Sequence, residues 1–212
     1  MNSNHLLLFI GDSITESGRN KENEHLGDGY VRLIRDYFLI NSPNKVPTIL
    51  NKGVGGDKIT DLNLRWEEDV IKLNPDYISI LIGINDVWRQ LDHPEKEQVY
   101  PDQFKEIYRR LLVRVKDRTK AKLILMEPTI IEEDRNSEGN KKLIPYVEIV
   151  QQLAKDFQAI LVPTHQAFIR YLSLASECRL TTDGVHMNST GNLLMAHTWI
   201  KALNYDGENL IN

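Results

Sequence analysis

Five short apolar runs, separated by stretches with helical periodicity, constrain the fold of this chain more than any other feature. The runs are rich in Ile, Leu or Val and lie at about 6–10, 47–50, 76–82, 121–126 and 158–162. Near-continuous apolar runs are typical of parallel strands that are covered on both faces. Strands that alternate with helices predict an α/β fold, in which a parallel sheet lies between helical layers.

Between the runs, apolar residues recur at the spacing of amphipathic helices. One stripe follows Pro101, a residue that is favoured in the first turn of a helix. The last predicted helix follows Asn188 or Ser189, either of which could cap its first turn. Because His197 lies on the apolar stripe of this helix, we expect it to be packed in the core. The four stripes are Tyr30, Ile34 and Tyr37; Phe104, Ile107, Tyr108, Leu111, Leu112 and Val115; Tyr146, Val150, Leu153 and Phe157; and Leu193, Ala196, Ile200 and Leu203.

Two polar segments interrupt these patterns. Residues 16–28 are predicted to form a loop over the functional site, and residues 132–142 are predicted to form a surface loop. No internal repeat or linker divides the chain. Its 212 residues therefore predict a single domain, 1–212, with a full-sized core.

The charge balance and the cysteine content exclude several classes of protein. A formal net charge of −4 argues against a nucleic-acid-binding protein, which usually carries a basic excess. No apolar run approaches the length of a membrane span, and the first residues lack the basic region of a signal peptide, so we expect a cytoplasmic protein. The one cysteine, Cys178, cannot form an intramolecular disulfide and is predicted to be a buried, inert thiol.

A Gly11-Asp12-Ser13 triplet directly follows the first apolar run. Ligands of open α/β sheets bind outside the carboxyl ends of the strands, so Ser13 lies where a nucleophile would be exposed. By itself the triplet is a weak signal, since a serine can equally cap a turn.

Two further strand ends offer hydrogen-bond donors. The glycines of residues 53–56 would let backbone N–H groups approach a ligand closely. Gly56 is therefore a candidate donor of an oxyanion hole, and the alternative is that these residues form only a tight turn. The spacing of these glycines does not match a phosphate-binding loop. Asn85 follows the 76–82 run and offers a side-chain amide, either as an oxyanion donor or as a cap.

Of the six histidines, only His186 follows an aspartate by three residues, and Asp183 could orient its ring. No metal-binding motif is present, and no metal or cofactor is expected. Because Asp12, Asp86 and Asp183 are three acidic residues predicted at strand ends, a Mg²⁺-dependent phosphatase is an alternative. It would leave the combination of Ser13, Asn85 and His186 unexplained.

The candidate residues lie in four sequence blocks, which contain Ser13, Gly56, Asn85, and Asp183 with His186. Together and in this order, they resemble the blocks of the SGNH, or GDSL-type, hydrolase family. The resemblance implies a flavodoxin-like three-layer α/β/α sandwich with a five-stranded parallel sheet. It implies that Ser13 is the nucleophile, that His186 is the general base and that Asp183 orients it. The N–H groups of Ser13 and Gly56 and the side chain of Asn85 would then form the oxyanion hole.

Within that family, the chain is most similar to intracellular acetylxylan esterases. The resemblance rests on residues 8–15, 51–53, 65–71 and 82–89, whereas Thr182 and Met187 depart from the pattern. It implies an acetylated oligosaccharide as substrate and allows a homo-oligomer. Trp88 and Arg89 lie just past Asn85 and could contact a sugar ring, because aromatic faces stack on sugar C–H surfaces, but Trp88 could equally be a packing residue. Three alternatives remain open at this stage: a general short-chain esterase, a thioesterase or a lysophospholipase on the same triad. A non-catalytic carbohydrate-binding protein is disfavoured because no triad member is missing.

Overall fold

The computed structural model of the protein describes residues 1–174 and 178–205. Its centre is a parallel sheet with the strand order β2-β1-β3-β4-β5. This is the flavodoxin-like order, so the predicted α/β fold is confirmed. The strands are β1 (Leu6–Gly11), β2 (Thr48–Gly53), β3 (Tyr77–Leu81), β4 (Lys122–Met126) and β5 (Ile160–Val162).

Helices follow the strands and cover both faces of the sheet. In one layer α2 and α7 pack against α8, and in the other α5 packs against α3 and α6. The helices are α1 (Ser13–Glu16), α2 (Tyr30–Asn41), α3 (Ile59–Trp66), α4 (Ile84–Asp92), α5 (Pro101–Arg118), α6 (Glu138–Asp156), α7 (Thr164–Ser173) and α8 (Ser189–Tyr205). Helix α3 continues into a π-helical turn at Glu67–Ile71.

Helix α8 is present as predicted and follows Asn188, whose side chain accepts from the N–H of Gly191. The predicted core face is wrong at two positions, since Leu193 is 59% exposed and His197 is also exposed. The buried face is rotated toward Trp199, a large residue that the apolar stripe left out.

Two predicted loops contain regular structure. Residues 132–142 include the start of α6, which Ser137 caps by accepting from the N–H of Asn140 at 3.0 Å. Residues 16–28 include the end of α1 and a 3₁₀ turn at Arg19–Lys21. Cys178 is exposed, contrary to the prediction of a buried thiol, and it lies outside the helices and strands.

The carboxyl ends of β1 and β2 lie close together, and this contact brings the segment of Ser13 next to the glycine loop that contains Gly56. A Cβ atom on Gly53 would lie 2.2 Å from the backbone nitrogen of Glu16 in α1. Only glycine therefore lets the end of β2 pack against the helix that begins with Ser13. Within the described ranges, no helix is long and apolar enough to cross a bilayer.

Candidate active site

Ser13 is the first residue of α1, directly beyond the end of β1. Asp12 caps this helix, because its carboxylate accepts from the N–H of Ile14 at 3.0 Å. The N–H of a residue in the first turn of a helix has no intrahelical acceptor, so the backbone N–H of Ser13 can serve a ligand.

A chain of two hydrogen bonds links Ser13 to Asp183 through the ring of His186. The Ser13 Oγ atom lies 2.9 Å from His186 Nε2, and His186 Nδ1 lies 2.7 Å from Asp183 Oδ2. A carboxylate can only accept, so it favours the tautomer with the proton on Nδ1. Nε2 is then left to accept the proton of the serine hydroxyl.

The carboxylate of Asp183 has further donors around it. Its Oδ1 atom accepts from the backbone N–H groups of His186 at 2.8 Å and Val185 at 3.0 Å. Partial burial acts to raise the pKa of Asp183, but the hydrogen bonds from His186 and Val185 outweigh it and hold the pKa below its usual value. Asp183 is therefore ionised at neutral pH and ready to stabilise a protonated imidazole.

The loop that carries Asp183 and His186 is anchored by Glu133, a residue that the sequence patterns did not single out. The Glu133 carboxylate accepts from the N–H groups of Leu180 at 3.1 Å and Thr181 at 2.8 Å, and also from the Thr181 hydroxyl. Because Glu133 lies in a run of polar residues, its sequence context resembles a solvated surface. Its partners are 47 and 48 residues away, and no local pattern could have indicated them.

Asn85 and Gly56 lie on segments that a hydrogen bond joins at Asp57. Asn85 is buried, and its Nδ2 atom donates to the carbonyl oxygen of Asp57 at 3.1 Å. Gly56 has a φ of 84°, a left-handed conformation that favours glycine. A Cβ atom on the preceding Gly55 would lie 3.9 Å from the Cβ of Ser13, so this loop passes directly beside the serine.

Trp88 borders the ring of His186. Its own ring meets that of His186 edge to face, with the centroids 5.8 Å apart. The guanidinium of Arg89 lies 5.0 Å from the centre of the Trp88 ring and pairs with Asp92. Both side chains are half-buried, so they are available at the edge of the site.

Two carboxyls, those of Asp12 and Asp86, are fully buried near the site. Burial raises the pKa of each to about 7, although backbone N–H groups of Ile14 and Ile59 oppose the shift. These contacts give both aspartates structural partners at the starts of α1 and α3. In the part of the chain that the structure describes, no group of three or more His, Cys, Asp or Glu residues could hold a metal ion.

Comparison with known proteins identifies the family to which this chain belongs. Residues 9–194 match the model of the GDSL-like lipase/acylhydrolase family. A curated acetylxylan esterase from Geobacillus stearothermophilus is 36% identical over 207 residues, which cover 94% of each chain.

Solved structures of similar proteins place the chain in the same group of ester hydrolases. The crystal structure of Axe2, an acetylxylan esterase from the same organism, matches with 35% identity and a TM-score of 0.89, covering 97% of this chain and 96% of that one. LAE5, described as an α/β hydrolase from the metagenome of Lake Arreo, matches with 32% identity and a TM-score of 0.88 over 95% and 96% of the two chains. The chain therefore belongs to the GDSL-like lipase/acylhydrolase family and is a carboxylic ester hydrolase.

Proposed function

We propose that this enzyme is a serine esterase that removes acetyl groups from carbohydrates such as xylo-oligosaccharides. Ser13 would act as the nucleophile, His186 as the general base and Asp183 as the carboxylate that orients it. The observation that carries the proposal is the continuous hydrogen-bonded chain from Asp183 through His186 to the Ser13 hydroxyl. The substrate class is supported by the curated and structural relatives that are acetylxylan esterases.

In the acylation step, His186 Nε2 takes the hydroxyl proton while Ser13 Oγ attacks the acetyl carbonyl carbon. The carbonyl oxygen becomes an oxyanion, which the N–H groups of Ser13 and Gly56 and the side chain of Asn85 would stabilise. Nδ2 of Asn85 carries two hydrogens, and the carbonyl of Asp57 accepts one of them. The other hydrogen remains for the oxyanion.

Collapse of the tetrahedral intermediate breaks the ester bond, and the sugar alcohol leaves with the proton from His186. A water molecule then attacks the acetyl-enzyme while His186 takes one of its protons. The acyl group leaves as acetic acid, which keeps the other proton of that water and ionises in solution, and His186 returns its proton to Ser13 Oγ. Every proton that His186 transfers therefore passes through a single nitrogen, Nε2, and the Asp183 carboxylate stays ionised throughout.

Trp88 and Arg89 are proposed as contacts for the sugar. The ring of Trp88 lies beside His186, which is where the leaving alcohol must receive its proton. An indole ring presents an apolar surface together with an N–H group, a combination that suits a sugar ring. Arg89 lies against the same ring and adds hydrogen-bond donors for hydroxyl groups.

The first test compares initial rates on p-nitrophenyl acetate and p-nitrophenyl octanoate for the parent enzyme and Ser13→Ala. We expect faster hydrolysis of the acetate ester and the loss of this activity in the variant. Equal or faster hydrolysis of the octanoate ester would favour a general esterase, a thioesterase or a lysophospholipase instead. Substantial activity in Ser13→Ala would rule out the acyl-enzyme mechanism.

A second test addresses the sugar. Release of acetate from acetylated xylo-oligosaccharides is measured for the parent, Trp88→Ala and the matched variant Trp88→Phe. We expect Trp88→Ala to raise KM for the oligosaccharide more than for p-nitrophenyl acetate, and Trp88→Phe to recover part of the difference. Equal effects on both substrates would show that Trp88 does not contact the sugar.

A further inference from the structure

Arg65 of α3 has its side chain only 17% exposed and uses its guanidinium to bind four separate acceptors. Nε donates to Asp57 Oδ2 at 2.7 Å, and Nη2 donates to the carbonyl oxygen of Gly11 at 2.9 Å. Nη1 donates to the carbonyl oxygen of Lys52 at 2.7 Å and to Asp69 Oδ2 at 3.0 Å. A planar guanidinium can satisfy such divergent acceptors at once, whereas a lysine ammonium cannot do so from the same position.

Three of these acceptors belong to segments that lead to the proposed oxyanion hole. Gly11 ends β1, two residues before Ser13. Lys52 is the next-to-last residue of β2, shortly before the glycine loop that contains Gly56. Asp57 follows Gly56, and its backbone carbonyl is the acceptor for Asn85.

We propose that Arg65 is a positioning residue that holds the three donors of the oxyanion hole in their mutual geometry. The inference rests on the proposed function, because it concerns how the Ser13 mechanism stabilises its oxyanion. Through Asp57, Arg65 acts on the side chain of Asn85 and on the adjacent Gly56. Through the carbonyl of Gly11, it acts on the turn that presents the Ser13 N–H.

The need for such a residue follows from the glycine loop itself. Gly56 is exposed, and a Cβ atom at this position would meet no other atom within 4 Å. Side-chain packing therefore does not fix its orientation. An oxyanion hole is effective only when its donors lie about 2.7–3.1 Å from the position that the oxyanion will occupy. The contacts of Arg65 to both ends of this loop supply the constraint.

A purely structural role for Arg65 makes a different prediction. In that case its replacement would lower stability, and activity would fall only as far as the protein unfolds. A positioning role predicts a lower kcat in protein that is still folded, with KM nearly unchanged, because the oxyanion forms only on the way to the intermediate. The two roles are therefore separable by kinetics on folded variants.

The test uses Arg65→Met, Arg65→Lys and Asp57→Asn, with Arg109→Met as the control. Arg109 is an exposed residue of α5 that pairs with Asp156. Melting temperature, kcat and KM for p-nitrophenyl acetate are measured for each. The inhibition constant of methylboronic acid is measured as well, because its tetrahedral adduct with Ser13 would occupy the oxyanion hole.

We expect Arg65→Met to lower kcat about 10- to 100-fold, up to the range for loss of an oxyanion donor. KM should change less than about threefold, and methylboronic acid should bind more weakly by a factor similar to the loss of kcat/KM. Arg65→Lys should recover part of the melting temperature, because it keeps the positive charge, but little of kcat. Arg109→Met should match the parent enzyme.

The proposal is overturned if folded Arg65→Lys or Arg65→Met keeps kcat within twofold of the parent, or if Arg109→Met weakens methylboronic acid binding equally. If Arg65→Met does not fold, the role of Arg65 is judged from kcat and methylboronic acid binding of Arg65→Lys and Asp57→Asn, with the same twofold limit on kcat. Ser13→Ala is assayed in parallel. Activity that survives in Ser13→Ala would refute the proposed function, whereas its loss beside unaffected Arg65 variants would refute only the role of Arg65.

Discussion

The partners of a side chain decide what it can do chemically, and Asp183 is a direct case at the scale of single residues. Its carboxylate accepts hydrogen bonds from Nδ1–H of His186 and from two backbone N–H groups, and these donors favour the ionised form of Asp183. Replacing it by asparagine would put an amide where the carboxylate is, and the amide N–H could face Nδ1. The ring would then carry its proton on Nε2, facing Ser13.

We therefore predict that Asp183→Asn lowers kcat on p-nitrophenyl acetate by about 10³- to 10⁴-fold, as the wrong tautomer does in other serine hydrolases. KM should change little, because the substrate does not bind to this carboxylate. Steady-state kinetics at pH 7 to 9 make the measurement, and circular dichroism checks the fold. A loss of less than about tenfold would contradict the assigned role.

The residues that could be predicted from the sequence share one property: each has a local signature. Ser13 and Asn85 follow buried strands, and His186 follows an aspartate by three residues. Arg65 lies in the segment 65–71 that carries the family resemblance, but neither Arg65 nor Glu133 has a local pattern that indicates its role. The acceptors of Arg65 are 4 to 54 residues away in the chain, and only the folded sheet brings them together.

At the scale of elements, the sequence predicts strands more completely than helices. All five strands appear within a few residues of the predicted runs, because each contains an apolar core. The largest difference is in β2, which continues through the polar residues Asn51 and Lys52 beyond the predicted run. Helices α3, α4 and α7 were not predicted individually. They span 8, 9 and 10 residues, so each offers too few turns for a stripe to stand out.

Helix α8 shows how a correctly predicted helix can include a stripe residue that lies off its buried face. Ala196 and Leu203 of the predicted stripe are buried, whereas Leu193 is not. Trp199 is fully buried, packs against Phe9 and Phe38, and donates its indole N–H to Ser79 Oγ at 3.0 Å. A buried aromatic ring of this size outweighs a single leucine in setting which face meets the sheet. Leu193 is consequently left 59% exposed.

This orientation predicts different consequences for two substitutions in the same helix. Trp199→Phe removes the donor to the buried Ser79 and should lower the free energy of unfolding by about 1–3 kcal/mol. Leu193→Ala should change it by less than about 0.5 kcal/mol, because the side chain is mostly exposed. Urea denaturation of both variants gives the two values. A larger effect for Leu193→Ala than for Trp199→Phe would mean that Leu193 packs into the core as the stripe predicted.

At the scale of the whole molecule, two groups of carboxyls give stability opposite dependences on pH. Those with lowered pKa values, such as Asp183 and Glu24, stabilise the fold above their ordinary pKa and lose that contribution in acid. Asp12 and Asp86 behave in the reverse sense, because burial raises the pKa of each to about 7. The two effects occupy different pH windows, the first below about pH 4 and the second above it.

The raised pKa of Asp12 leads to a prediction for stability above about pH 4. Between its ordinary pKa of 3.8 and about 7, the folded protein holds a proton that the unfolded chain has lost, so stability falls as pH rises and levels off above about 7. An asparagine at this position would have no proton to lose, while its side-chain oxygen could still cap α1. We therefore expect Asp12→Asn to gain stability relative to the parent as pH rises from about 4 to about 7, with a constant difference at higher pH.

Urea denaturation of both proteins at intervals from pH 4 to pH 8.5 measures this difference. Because every other titratable group is common to the two proteins, subtraction removes their contributions, apart from those of groups that interact electrostatically with Asp12. These groups are His186, Asp57, Arg65, Asp86 and Tyr30. Asp86→Asn, measured alone and with Asp12→Asn, reports the coupling between the two buried carboxyls. A difference that stays constant from pH 4 to pH 8.5 would mean that the Asp12 carboxyl titrates alike in the folded and unfolded chains, despite its complete burial.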